Sequence, residues 1–318
     1  MKRDFSIDSI KALLVLLVIL GHSIQYSYIY HGNDFDNSIL FRMIYSFHMP
    51  FFMFIAGYLN CSSSEFNIKD KFKLLLIPFF SWGIVDFLIT DKGMSFIGFI
   101  VDLVENPDKG LWFLWVLFFI MLSHAGLSKL FSRVKLFISS VFVILFIYFL
   151  KLEGVNIKFG VDLYAWHLFF YASGYLWKEC RLYKLGYSRK LFSWLLLLLY
   201  FFSFLFWERS LDGYGPMYTM FLLIVKYCCA ISAILLFVIN ISFFNVKNEI
   251  VSFLSKQSLS FYAIQTIVIS IVLGFFQRQD LFTLILLTFF VSTFLSYIAI
   301  LIINRLPISL FRKTIFGR

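Results

Sequence analysis

Three ionisable side chains punctuate the first apolar run of the chain, IDSIKALLVLLVILGHSIQYSY from residue 7: Asp8, Lys11 and His22. An ionisable group in hydrocarbon costs a few kcal/mol or more, so its presence there marks a functional site by default. A helix turns about 100° and rises about 1.5 Å per residue, so Lys11 and His22 share a face to within roughly 20° and lie about 16 Å apart along the axis. Asp8 sits three residues before Lys11, where the two can pair. One stripe thus runs from a charged pair at the membrane edge to a histidine about 20 Å deep. For Asp8 and Lys11 alone, a snorkelling interfacial pair is the structural alternative. Neutral imidazole titrates near working pH, which suits His22 to general-base chemistry.

The second apolar run, FRMIYSFHMPFFMFIAGYLN, carries His48 at about 18 Å from the same edge. Pro50 lacks an N–H and disfavours helical geometry at Met49, so a break or kink is expected beside His48. Broken helices survive at membrane depth only where they face protein or a water-filled cavity. Two histidines and a helix break at one depth predict a polar cavity.

Asp86 and Lys226 also fall near mid-membrane, about 20 Å from the cytoplasmic edge. An ion pair between them, or with a histidine, is the economical reading, and it serves a cavity or a purely structural role equally well. His167, in YAWHLFFYASGYLW, lies at comparable depth, as a cavity residue or a hydrogen-bonded structural one. Trp112 opens a run at LWFL, where an interfacial anchor is the ordinary role and a place at the cavity the alternative. His31 and His124 are read as structural. No two of the five histidines stand at the i,i+3 or i,i+4 spacing of a metal motif, and no carboxylates cluster with them, so no metal is expected. There is no glycine-rich phosphate loop and no nucleophile elbow.

The elements that must position these groups are membrane helices. Of 318 residues, 61% are hydrophobic, 21% aromatic and 14% charged; a soluble domain carries about 25% charged residues. Runs near 20 apolar residues give ten expected spans, at about 9–30, 38–60, 73–91, 111–130, 134–151, 160–178, 191–208, 217–241, 257–276 and 281–304. Alternating the loops places 20 of the 28 Lys and Arg on one side, 7 on the other and Lys226 inside a span. That asymmetry predicts an all-α polytopic protein with both termini cytoplasmic. It also explains the net charge of +10 without nucleic acid. The four cysteines (Cys61 and Cys180 in short basic loops, Cys228 and Cys229 in an apolar run) do not form a disulfide framework. The first run lacks a small-residue cleavage site and reads as a retained span. The connection at 90–110 contains a short amphipathic stretch suited to a membrane surface. One membrane domain, residues 1–318, is expected, with its chemistry inside the spans or at their ends.

The motifs DSIK with GH eleven residues on, FHMPFFMFIAGYL, a basic segment ahead of LLLIPFFSW, LWFL, and SLSFYAIQ at 258–265 resemble the acyltransferase-3 superfamily of membrane O-acyltransferases, nearest its fucose 4-O-acetylase-like branch. The resemblance implies transfer of an acyl group, usually acetyl from acetyl-CoA, to a glycan hydroxyl. It also implies that Lys11 and His22 occupy the family's basic and histidine positions, with Lys where many relatives have Arg. Two places depart from the family. KDKFK replaces an Arg-x-x-Arg in the first cytoplasmic loop, and Gln265 stands where a histidine often ends the later motif, which suggests that it orients substrate.

The resulting expectation is a bacterial inner-membrane O-acetyltransferase acting on a surface polysaccharide or its lipid-linked precursor. Lys69, Lys71 and Lys73 are expected to hold the CoA phosphates, His22 to act as base and His48 to position the acceptor. An acyl-histidine intermediate competes with direct transfer. A transporter of a lipid-linked glycan or small molecule would also want polar groups near a broken helix, although no inverted halves are visible. The sugar, its hydroxyl and the oligomeric state are not specified by sequence.

Overall fold

The computed structural model describes residues 4–60, 67–89, 93–155, 157–180, 189–211, 213–276, 278–305 and 315–316, and these contain helices and no strand. The helices are α1 (Phe5–Tyr30), α2 (Ile39–Asn60), α3 (Ile68–Ile89), α4 (Phe96–Glu105), α5 (Trp112–Leu127), α6 (Arg133–Leu152), α7 (Val161–Cys180), α8 (Arg189–Leu205), α9 (Pro216–Ile239), α10 (Glu249–Lys256), α11 (Ser258–Phe275) and α12 (Leu281–Arg305). All but α4 and α10 coincide with an expected span to within a few residues. Seven are long and apolar enough to cross a membrane: α1, α2, α3, α6, α9, α11 and α12. Helices α5 and α8 are apolar but only 16 and 17 residues long. Helix α7 carries Asp162 and Lys178 in its end turns. Cys61, Lys92, residues 181–188 of the basic loop and the tail residues Arg312, Lys313 and Arg318 lie outside the described residues, as does the side chain of Cys180.

The chain divides into two compact units, residues 1–52 with 183–304, and residues 53–182 with 305–318. In the first, α1 is the central element. Its first turn is capped by Asp4, whose carboxylate accepts from the Ser6 and Ile7 amides at 3.0 and 3.4 Å. Helices α10 and α11 and the Ile241–Phe244 turn pack along it, and α8 packs on α9 as a hairpin. Ile24 of α1 meets Phe41 and Ile44 of α2, with Ile285 of α12 against the same cluster. Ser23 and Ser27 on α1, and Thr288, Ser292 and Ser296 on α12, are fully buried. Small side chains at such spacing let membrane helices approach closely where no hydrophobic drive exists between them.

In the second unit the last turns of α2 cross α7 backbone to backbone. A methyl group at Gly57 would run into the Tyr171 carbonyl, and one at Gly174 into the Phe54 carbonyl. Asn60 Nδ2 donates to the Tyr171 hydroxyl at 2.6 Å across the same crossing. Gly57→Leu and Gly174→Leu are each expected to lower the melting temperature, since overpacking costs about 1–3 kcal/mol or more. Size-exclusion chromatography after stepwise heating reads this, and a variant that melts with the wild type would rule out the tight crossing. Helix α5 packs on α3 and α7, and α6 on α7. The amphipathic stretch expected within 90–110 is α4, capped by Ser95, with Phe99 and Leu103 buried and the Phe99 ring tilted against Phe87 at 4.9 Å.

Two local expectations are corrected. KDKFK is helix, not loop: the Asn67 side chain caps it, accepting from the Lys69 and Asp70 amides, and nothing before Pro78 stops the helix. Residues Phe72–Leu76 form a π turn in which the Ile77 amide reaches the Phe72 carbonyl. This wider turn sits just ahead of Pro78, which offers no N–H and would crowd the Leu74 carbonyl in a regular helix. Helix α2 also runs unbroken through Pro50. Proline is tolerated in membrane helices when neighbouring groups take over the freed backbone positions.

Candidate functional site

His22 lies on α1 and His48 on α2, and the first unit joins them through two residues that sequence reasoning passed over. Gln25, one turn beyond His22, presents its amide oxygen 3.2 Å from His22 Nδ1. The Tyr45 hydroxyl donates to the same oxygen at 3.2 Å. A carbonyl oxygen only accepts, so His22 carries its proton on Nδ1 and leaves Nε2 with the lone pair. The Tyr45 ring stands edge-on to both histidines, at centroid distances of 6.4 Å to His22 and 4.9 Å to His48. It stacks on Phe41 at 3.9 Å. Gly21 makes room for it, since a Cβ there would lie 3.0 Å from the Tyr45 ring edge.

His48 is buried and its Nδ1 donates to the Ile44 carbonyl at 2.7 Å, which again makes Nε2 the basic nitrogen. His22 is half-buried. Tyr26 stands edge-on to His22 at 6.3 Å. Tyr262 of α11 lies within electrostatic range of Tyr45. One turn further along α11, Gln265 is fully buried, and among the described residues neither its amide oxygen nor its nitrogen has a hydrogen-bond partner. A buried primary amide with no partner is rare in a folded interior and calls for an explanation.

Other expected residues of the first unit make different contacts. Asp8 accepts from the Ser255 hydroxyl at 2.6 Å, which ties the start of α1 to α10. Lys11 is about 16 Å from His22 along α1, too far to act on the same atoms. Lys226 is half-buried, and its ammonium does not rest at mid-membrane: it reaches back to donate to the Arg209 carbonyl at 2.8 Å, over the Trp207 ring. Beside it, Arg209 Nε donates to both Asp36 carboxylate oxygens, at 2.8 and 2.9 Å, and the bonded Asp36 carboxylate raises the guanidinium pKa above its ordinary value.

In the second unit, His167 is buried, donates from Nδ1 to the Leu163 carbonyl at 2.8 Å, and packs on Trp112 at 4.8 Å. This makes Trp112 a packing partner of His167. Asp86 is half-buried on α3. Lys69 and Lys73, four residues apart, are exposed, whereas Lys71 projects from another side of α3 and is half-buried. His124, read as structural, is buried against Tyr171 and Tyr175. Among the described residues, no three His, Cys, Asp or Glu side chains converge on a metal-holding position.

Gln25 and Tyr45 were legible only in part. Each lies three residues from a histidine and so shares its face, but nothing in the sequence says that the two faces meet.

A family profile described as an acyltransferase domain matches residues 4–305. The nodulation protein NolL of Mesorhizobium japonicum is 33% identical over 148 residues, covering 43% of this chain and 39% of that protein. The NolL of Sinorhizobium fredii is 33% identical over 145 residues, covering 42% and 38%. The match therefore spans about two-fifths of the length of these curated relatives. No solved structure matches. With nearly the whole length accounted for by one profile, the chain belongs to the acyltransferase-3 family of multi-pass membrane proteins.

Proposed function

We propose that the chain is a bacterial inner-membrane O-acetyltransferase that moves acetyl from cytoplasmic acetyl-CoA to a sugar hydroxyl of a surface polysaccharide or its lipid-linked precursor. The observation that carries the reading is the fixed tautomer of His22. With Nδ1–H committed to Gln25, Nε2 takes the proton of the acceptor hydroxyl as its oxygen attacks the thioester carbonyl. The tetrahedral intermediate collapses with loss of the CoA thiolate, and the proton held on His22 passes to that leaving group. Tyr45 and Gln25 hold the imidazole in register, and His48, through the Tyr45 ring, lines the acceptor side. Membrane lipids surround the ten spans, both termini face the cytoplasm, and the 90–110 connection faces outward.

The deciding experiment is transfer of labelled acetyl from acetyl-CoA to glycan by purified protein in proteoliposomes. Label on the glycan is the expected result; its absence with an intact, folded protein would return the transporter reading to first place. Reporter fusions after residues 34, 100 and 212 should all lie outside, and two cytoplasmic signals would overturn the topology. Neutralising Lys69, Lys71 and Lys73 together should raise KM for acetyl-CoA several-fold with little change in acceptor KM, since it removes donor binding common to ground and transition states. An unchanged donor KM would move the donor site away from α3.

A further inference from the structure

Among the described residues, Arg42, Trp207, Arg209 and Lys226 gather at the end of the first unit where α1 leads into α2 and α8 into α9. The Arg42 guanidinium, half-buried on α2, donates to the Trp207 carbonyl and lies 5.6 Å over the Phe204 ring. Among the described residues no carboxylate pairs with it. Its bond to Trp207 uses one of five N–H groups and caps the end of α8, which leaves the others to be accounted for. Trp207 is 2% exposed, and its buried indole N–H has no acceptor among the described residues. Lys226 and Arg209 complete the group. Of the described acids nearby, Asp36 is held by Arg209, and Asp34 accepts from the Asp36 amide. Glu208 is exposed. A half-buried guanidinium served only by neutral groups is expensive near hydrocarbon, and an orphaned indole donor beside it adds to the cost. An oxyanion is a ligand that either donor would accept. The Tyr45 phenol is in electrostatic range of Arg209 and Asp36, so this cluster borders the His22 network.

We infer that Arg42, Trp207, Arg209 and Lys226 form a receiving site for a phosphate or pyrophosphate group, the one that ties the acceptor glycan to its lipid. The assignment rests on the acetyltransferase reading for what the anion is attached to, but not for the anion itself. A forked guanidinium and an N–H donor match phosphoryl oxygens, and a place at the ends of the spans is headgroup depth, where a lipid-borne phosphate travels. The sugar would then be presented toward Tyr45 and His22 while its anchor is held by Arg42.

The test is binding of a short-chain polyprenyl pyrophosphate to the full-length protein in phosphatidylcholine nanodiscs, read by intrinsic tryptophan fluorescence. Saturable binding is expected, weakened at least about tenfold by Arg42→Gln and partly restored by Arg42→Lys. Trp207→Phe, which keeps a ring and removes only the N–H, should weaken it several-fold, and the KM for acetyl-CoA should be unchanged in all three variants. Equal affinity in wild type and Arg42→Gln, or no saturable binding, would overturn the inference. In nanodiscs containing phosphatidylglycerol, an Arg42-dependent retention of that lipid with no Arg42 effect on the probe would assign the site to bilayer headgroups and overturn the acceptor role. Arg42-dependent probe binding by a wild-type protein that transfers no acetyl would uphold the anion site and remove only the acetyl chemistry.

Discussion

His22→Ala is expected to abolish acetyl transfer, with a loss on the order of 10²–10⁴ in kcat, the usual contribution of a positioned acid–base group. The protein should remain folded and inserted, because the change makes α1 more apolar and leaves the Tyr45 hydroxyl still donating to Gln25. The sharper variant is His22→Asn. Its amide nitrogen falls near the position of Nδ1 and can keep the hydrogen bond to Gln25, but it offers nothing in place of Nε2. If His22 merely held two helices together, the asparagine would rescue function. If it is the base, the asparagine variant should be as inactive as the alanine one while melting like wild type. Near-normal transfer by either variant would remove His22 from the mechanism. Gln25→Leu should cost less, roughly tenfold, because it frees the tautomer without removing the base.

Gln265→Leu should move stability and activity in opposite directions. The buried amide has no partner among the described residues, so replacing it with a hydrocarbon of similar size relieves a desolvation cost of about 1–3 kcal/mol and should raise the melting temperature. If the amide waits for the acceptor sugar, losing its two hydrogen bonds should lower kcat/KM for the acceptor roughly 10- to 100-fold, with the KM for acetyl-CoA unchanged. A lower melting temperature with unaltered kinetics would make Gln265 a structural residue and end its assignment to substrate.

The sequence carried the helices well because apolar length is set by bilayer thickness and needs no knowledge of tertiary contacts. It carried the two histidines for a related reason: a titratable group inside a span is conspicuous in one dimension. It failed where neighbours decide. Lys226 could be read only by its depth, and it takes the structure to show its long side chain reaching a backbone carbonyl at a helix end. KDKFK looked like a loop because of its charge, but the Asn67 cap outweighs charge in starting a helix. Pro50 looked like a break, but α2 continues through it. Tyr45 and Gln25 are unremarkable polar residues until α1 and α2 are laid side by side.

The shortness of α8 has a consequence for the bilayer itself. Its 17 residues make a rod of about 26 Å, less than the roughly 30 Å of hydrocarbon it would have to cross. Much of its surface, including Leu191, Trp194, Leu198 and Phe201, is exposed in the chain, a face suited to lipid. Hydrophobic mismatch of this sign is relieved by local thinning of the membrane. The polar boundary would dip beside the α8–α9 hairpin and bring Lys226, ten residues into α9, within reach of water. Thinning there would also shorten the path between the two aqueous faces, so that donor and acceptor have less hydrocarbon to cross before they meet.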